Sequence, residues 1–187
     1  MAQPAKSAAA QIYQIKVTLR GVRPPIWRRI QVPDNFTLAK LHRIIQVVMG
    51  WDNYHLHVFS WEGLEYGDPD RDLGIRSDAR VRLSQLHLLE KSRFRYEYDF
   101  GDSWEHDLLV EKILPPERGV TYPRCLTGKR ACPPEDVGGI WGYANFLEAM
   151  QDSAHPAHEE YLEWIGGEFD SEAFDLEAVN LALSILQ

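Results

Sequence analysis

Between residues 11 and 90, apolar and polar positions change period twice. Tyr13, Ile15, Val17 and Leu19 alternate with Gln14, Lys16, Thr18 and Arg20, the period of a strand with one buried face. Gly21 to Pro25 supplies a turn, and Ile26 to Val32 reads as a second strand closed by Pro33. The spacing then becomes helical. Leu38, Leu41, Ile44, Ile45 and Val48 share one face, with Thr37 placed as N-cap and Gly50 at the position that ends a helix. His55 to Trp61 returns to a strand, Gly67-Asp68-Pro69 turns, and Arg80 to Leu88 reads as another strand. The order ββα then ββ predicts an α+β fold with a β-grasp-like beginning.

The next alternation is the sharpest in the chain. Phe94, Tyr96, Tyr98 and Phe100 form one stripe, and Trp104, His106, Leu108 and Val110 form another. A three-residue loop, Gly101-Asp102-Ser103, pairs Phe100 with Trp104 and Tyr98 with His106, which keeps both stripes on one face. A two-residue loop would put them on opposite faces. The chosen register sets Asp99 opposite Glu105 and Glu97 opposite Asp107, and like charges across a ladder are unfavourable. Arg93, Arg95, the basic N-terminal half or a bound cation would relieve them.

Residues 114–139 hold five prolines, four glycines and both cysteines, and read as a long loop, a feature that is usually functional or disordered. Three short helices follow in the pattern, at Gly142–Asp152, from Pro156 to Gly166-Gly167, and at Leu176–Leu186.

Composition sets bounds on this picture. At 187 residues, 44% hydrophobic and 26% charged, the chain is globular in composition, and no apolar run approaches the roughly 20 residues of a membrane span. MAQPAKSAAA lacks the apolar core of a secretory signal, so residues 1–10 read as a disordered tail ahead of a single domain over 11–187. Two cysteines make no disulfide scaffold and point to free thiols in the cytoplasm. Charge is divided unevenly, a formal +6 over residues 1–95 and −14 over 96–187. The net charge of −8 disfavours non-specific duplex binding. Docking of the two halves, or a protein or small-molecule partner, therefore ranks ahead of nucleic acid.

Three sets of residues could carry chemistry. His55 and His57 fall on one strand face, and with His106 and a carboxylate they would form a catalytic metal site; in an aromatic-rich sheet they can equally be hydrogen-bonded core residues. Cys125 and Cys132 are spaced too widely for a zinc knuckle. Cys132-Pro133-Pro134-Glu135-Asp136-Val137-Gly138-Gly139 joins a rigid turn to two adjacent carboxylates, which can bind a cation, act as acid or base, or cap the helix that follows. There is no phosphate-binding glycine loop, no zincin motif and no nucleophile elbow.

Tyr98-Asp99-Phe100-Gly101-Asp102-Ser103-Trp104-Glu105-His106 and the Cys-Pro-Pro-Glu-Asp-Val-Gly-Gly segment resemble the Ri-plasmid open-reading-frame-three-like proteins, often labelled TnpR-like or transposon passenger proteins. Pro24-Pro25-Ile26-Trp27-Arg28-Arg29, Gly50-Trp51 with His55-Leu56-His57, and Phe169-Asp170 with Phe174-Asp175 extend the resemblance over nearly the whole chain. The resemblance implies a single α+β domain from genes linked to mobile elements and implies no reaction. Resolvase activity is not carried over, because the region that would have to read DNA is the acidic half. The leading reading is a binding module rather than an enzyme. Its surface would comprise Trp51, Asp99, Asp102, Trp104, His106, Glu135 and Asp136, with Trp51 and Trp104 as contact aromatics. A metal-dependent hydrolase is the second reading, with a divalent metal on His55, His57 and His106 and Glu135 or Asp136 as general base. A third is an accessory DNA-binding protein using Arg20, Arg23, Arg28, Arg29, Lys40 and Arg43.

Overall fold

A computed structural model describes residues 10–70 and 72–187; the expected tail, save its last residue, lies outside them. Strand β1 (Ile12–Leu19) pairs antiparallel with β2 (Trp27–Pro33), so Ile15 faces Ile30. Helix α1 (Leu38–Met49) starts where expected: the Thr37 hydroxyl accepts from the Lys40 amide, and Gly50 takes the left-handed conformation while its N–H returns to the Gln46 carbonyl. The apolar stripe of α1 is fully buried at Leu38, Leu41, Ile44 and Ile45.

The second half of the β-grasp-like pattern differs. Strand β3 (His57–Trp61) folds back on β4 (Leu64–Gly67), and both turn residues, Glu62 and Gly63, have positive φ, as a tight hairpin requires. A two-residue strand β5 (Arg76–Ser77) follows. The expected strand at Arg80–Leu88 is instead two 3-10 turns, Asp78–Arg80 and Leu83–Leu86. Leu83 and Leu86, three apart, lie on one side of such a turn and are both buried. The backbone there bonds to Asp34, Phe36 and Leu38 at the start of α1 rather than to a strand.

Strands β6 (Arg93–Tyr98) and β7 (Trp104–Leu114) form the expected hairpin with both stripes inward, but in another register. Tyr98 faces Trp104, Tyr96 faces His106 and Phe94 faces Leu108. The turn spans residues 99–103 and is closed by the Ser103 amide on the Asp99 carbonyl. Moving the register by two preserves the faces. It puts Glu97 opposite Glu105 and Arg95 opposite Asp107, and relief comes from arginine: Arg20 pairs with Glu105 and Asp107, and Arg95 lies 3.4 Å from Glu105. With Arg29 on Glu111, these pairs also join the basic N-terminal half to the acidic half.

The proline- and cysteine-bearing stretch is not wholly loop, because β8 (Arg124–Lys129) pairs with β2. Three helices complete the chain, α2 (Gly139–Gln151), α3 (His158–Ile165) and α4 (Leu176–Leu183). Asn180 of α4 accepts from the Cys125 amide and donates to its carbonyl, covering part of the backbone that an edge strand would expose. The eight strands make one sheet in the order β5-β4-β3-β6-β7-β1-β2-β8. The fold is thus mixed α+β. The β6–β7 hairpin sits between β1–β2 and β3–β4, so those four strands do not form the β-grasp-like unit expected.

Candidate functional site

Three segments distant in sequence meet beyond the end of β6. The first is the stretch between α1 and β3. His55 lies here, ahead of the strand rather than on it, so it is free of the alternation that would have placed it beside His57. The second is the β6–β7 turn, which opens with Asp99 at φ 57°; its Oδ1 accepts from the Gly101 amide. The third is the Cys-Pro-Pro-Glu-Asp loop ahead of α2, with Asp136 at φ 59°. His55 Nε2 stands 3.1 Å from Asp136 Oδ1 and 3.6 Å from Asp99 Oδ2. One donor atom from each residue lies within 4.8 Å of the other two. The Nε2 atom is shielded from solvent yet meets no partner in hydrogen-bonding geometry. The Asp99 side chain is nearly buried at 11% exposure and that of Asp136 is open at 69%, so the cluster has a closed side and a solvent side.

The surrounding residues fix these segments to one another. Tyr98 donates its hydroxyl proton to Glu135 and accepts from the amides of Tyr54 and His55. Burial, then the Glu135 carboxylate, holds the Tyr98 phenol well above the ordinary range. Glu135 also accepts from the Asp52 amide, and Trp51 donates Nε1–H to the Pro133 carbonyl while stacking on Tyr98. Asp102 accepts from the Gly138 amide. Gly139, at φ 67°, lies so close to the hairpin turn that a Cβ would stand 2.6 Å from the Asp102 carbonyl oxygen. Asp99, Asp102, Glu135 and Asp136 therefore lie close together with two roles: Glu135 and Asp102 tie the loop down, whereas Asp99 and Asp136 face His55.

Other expected site residues lie elsewhere. Trp51 and Trp104 are 6% and 1% exposed, so they are packed interior residues and not contact aromatics. His106 is fully buried, edge-on to Trp51 and beside Tyr96. Neither of its ring nitrogens meets a partner in hydrogen-bonding geometry, and burial lowers its pKa to about 4. His57 bonds Asp78 at 2.9 Å and stacks flat on His42 at 3.5 Å. Each of the three histidines of the expected metal site thus has different neighbours.

The His42–His57 pair belongs to a network that the sequence did not disclose. Asn53 Oδ1 can only accept, which makes His42 Nε2 the donor and leaves Nδ1 to accept from the Tyr96 hydroxyl. Tyr96 in turn accepts from Gln46. Burial, then the neighbouring His57, lowers the His42 pKa to about 4. One signal existed, since His42 is four residues after Leu38 and three before Ile45, within the apolar stripe of α1. Nothing in the sequence marked Asn53 or Asp78.

Three of the six basic residues considered for DNA are committed. Arg28 is 2% exposed and donates to the carbonyls of Val48, Trp27, Lys129 and Arg130, and Arg20 and Arg29 are ion-paired. Cys125 and Cys132 are free thiols. Burial raises the Cys125 pKa to about 11 and that of Cys132 further, so neither is an activated nucleophile. Among the described residues, no helix is long and apolar enough to cross a membrane.

Comparison with known proteins gives consistent matches. A family model described as plasmid pRiA4b ORF-3-like protein matches residues 11–178. The uncharacterized protein y4hQ of Sinorhizobium fredii (strain NBRC 101917 / NGR234) is 42% identical over 181 residues, covering 95% of this chain and 93% of that one. The crystal structure of MM3350 from Methanosarcina mazei Go1, titled a protein of unknown function, matches with a TM-score of 0.84 at 43% identity. It covers 91% of this chain and 98% of that one.

Proposed function

The chain belongs to the plasmid pRiA4b ORF-3-like family, and from that premise we propose that it is a binding module. Its ligand surface is the junction of the α1–β3 segment, the β6–β7 turn and the Cys-Pro-Pro-Glu-Asp loop. One observation carries the reading: three segments far apart in sequence are cross-linked by Tyr98, Glu135, Trp51 and Asp102, and the open carboxylate of Asp136 is presented at their meeting point. Rigid scaffolding around an exposed charged group is the arrangement of a preorganised binding site. In this reading the partner is a protein or small molecule, met in the cytoplasm, and the plasmid in the family's description supports a gene linked to mobile elements.

A hydrolase built on His55, His57 and His106 has less support, because His57 is bonded to Asp78 and stacked on His42, and His106 is buried against Trp51. The DNA-accessory reading has less support because Arg20, Arg28 and Arg29 are already engaged.

The test is a thermal-shift screen of the full chain against small molecules and peptides, run with a chelator present, followed by calorimetry on hits. Binding that weakens in Asp136→Asn and Glu135→Gln variants supports the junction as the ligand surface. Binding indifferent to both substitutions, or duplex DNA bound with a steep salt dependence, overturns it.

A further inference from the structure

His55, Asp99 and Asp136 are distinguished from the other ionisable groups by how their donor atoms converge. We infer that they form a binding centre for a divalent transition-metal ion. The inference deepens the binding-module reading and rests on it for the placement of the site.

Geometry carries the assignment. Metal–nitrogen and metal–oxygen bonds of about 2.1 Å place neighbouring ligand atoms roughly 3.0–3.5 Å apart. His55 Nε2 lies 3.1 and 3.6 Å from the two carboxylate oxygens, and the third separation is within 4.8 Å. The Nε2 atom is buried and not otherwise hydrogen-bonded, so its lone pair is free for a ligand bond in the tautomer that protonates Nδ1. Asp99 is oriented by the Gly101 amide on its other oxygen, the outer-shell support that a ligating carboxylate normally has. Asp136, mostly exposed, can swing by a rotamer to close the third separation and leaves the outer coordination positions to solvent or to a partner's oxygen.

The donor set selects the class of ion. One imidazole nitrogen and two carboxylates suit Zn²⁺, Mn²⁺ or Fe²⁺; Mg²⁺ and Ca²⁺ prefer oxygen alone. The competing account is an imidazolium held between two carboxylates, which needs no metal and would resist one.

Full-length protein titrated with MnCl₂ and with ZnCl₂ near pH 7, by calorimetry and by ¹⁵N-resolved amide broadening with Mn²⁺, separates the two. The expected result is one equivalent bound, with the amides of His55, Asp99, Gly101 and Asp136 broadened first. Affinity should fall at least about tenfold in Asp99→Asn and in Asp136→Asn. Asparagine keeps the side-chain oxygen that accepts from the Gly101 amide and tolerates positive φ at both positions, so the variants fold. Absence of saturable binding at millimolar metal, or binding that both variants retain, overturns the centre. Ligands that still bind at Glu135 and Asp136 in chelator would then leave the module standing without its metal. Loss of both results removes both readings.

Discussion

Two histidine-bearing regions lie on either side of Tyr98, and they were built to different ends. On one side His42 and His57 are stacked and enclosed, each with a defined partner, Asn53 and Tyr96 for the first and Asp78 for the second. On the other, His55 faces two carboxylates, one of them open to solvent. His55 and His57 are two residues apart, yet one serves the interior and the other the surface. The difference teaches that a buried polar network contributes mainly to stability and uniqueness, because every partner removed leaves an unpaired buried group. A half-open cluster can be altered at small cost, which leaves it free to serve binding.

The comparison breaks most sharply with acid. His42 and His106 both have folded pKa values of about 4 against an unfolded value of about 6.5. Above pH 6.5 both states are neutral and no linkage operates. Between 6.5 and 4 the unfolded chain takes up protons that the folded chain refuses, so stability falls with pH by about 3 kcal/mol for each group. Urea denaturation at pH 7 and pH 4.5 should show this loss, and unchanged midpoints would contradict it. Replacing His106 with leucine should remove about half of the acid loss.

Next in size is Tyr96→Phe, which leaves His42 Nδ1 and Gln46 Nε2 without a partner and should cost about 1–3 kcal/mol in equilibrium unfolding. The scaffold of the junction should respond similarly to Gly142→Ala. A Cβ there would stand 2.0 Å from the Val137 carbonyl oxygen, and relief requires the loop to lift from α2, a cost of about 1–3 kcal/mol. That variant should lose binding at the junction along with stability. The smallest effect belongs to Asp136→Asn, for which unfolding should shift by less than about 0.5 kcal/mol although ligand and metal binding are reduced. A large loss of stability from this exposed side chain would show that the junction is structural.

Much of the architecture was legible in the residue pattern, and the exceptions share a cause. The Thr37 cap, the α1 stripe, the Gly50 stop and the β1–β2 hairpin were local signals, and each depends on neighbours within a few residues. The β6–β7 stripes fixed which face is buried but not which residues face one another, since a period of two is unchanged by a shift of two. Phe100, apolar and in phase, extended the stripe on paper. In the structure it is half exposed within the turn that the Ser103 amide closes on the Asp99 carbonyl. The same ambiguity placed His55 with His57, because the alternation cannot show that the strand begins only at His57.

The sequence by itself determined the mixed α+β class, the inward stripes, the helix boundaries near Gly50 and Gly166, and which acids belong to the central motifs. Tertiary structure alone decided that β6 and β7 separate the first two hairpins, that Asp78 seals His57, and that His55 meets Asp99 and Asp136. The physical reason is one of range. Caps, turns and periodicity are settled by atoms a few residues apart, whereas a side chain's partner across 44 or 81 positions depends on how the whole sheet is ordered.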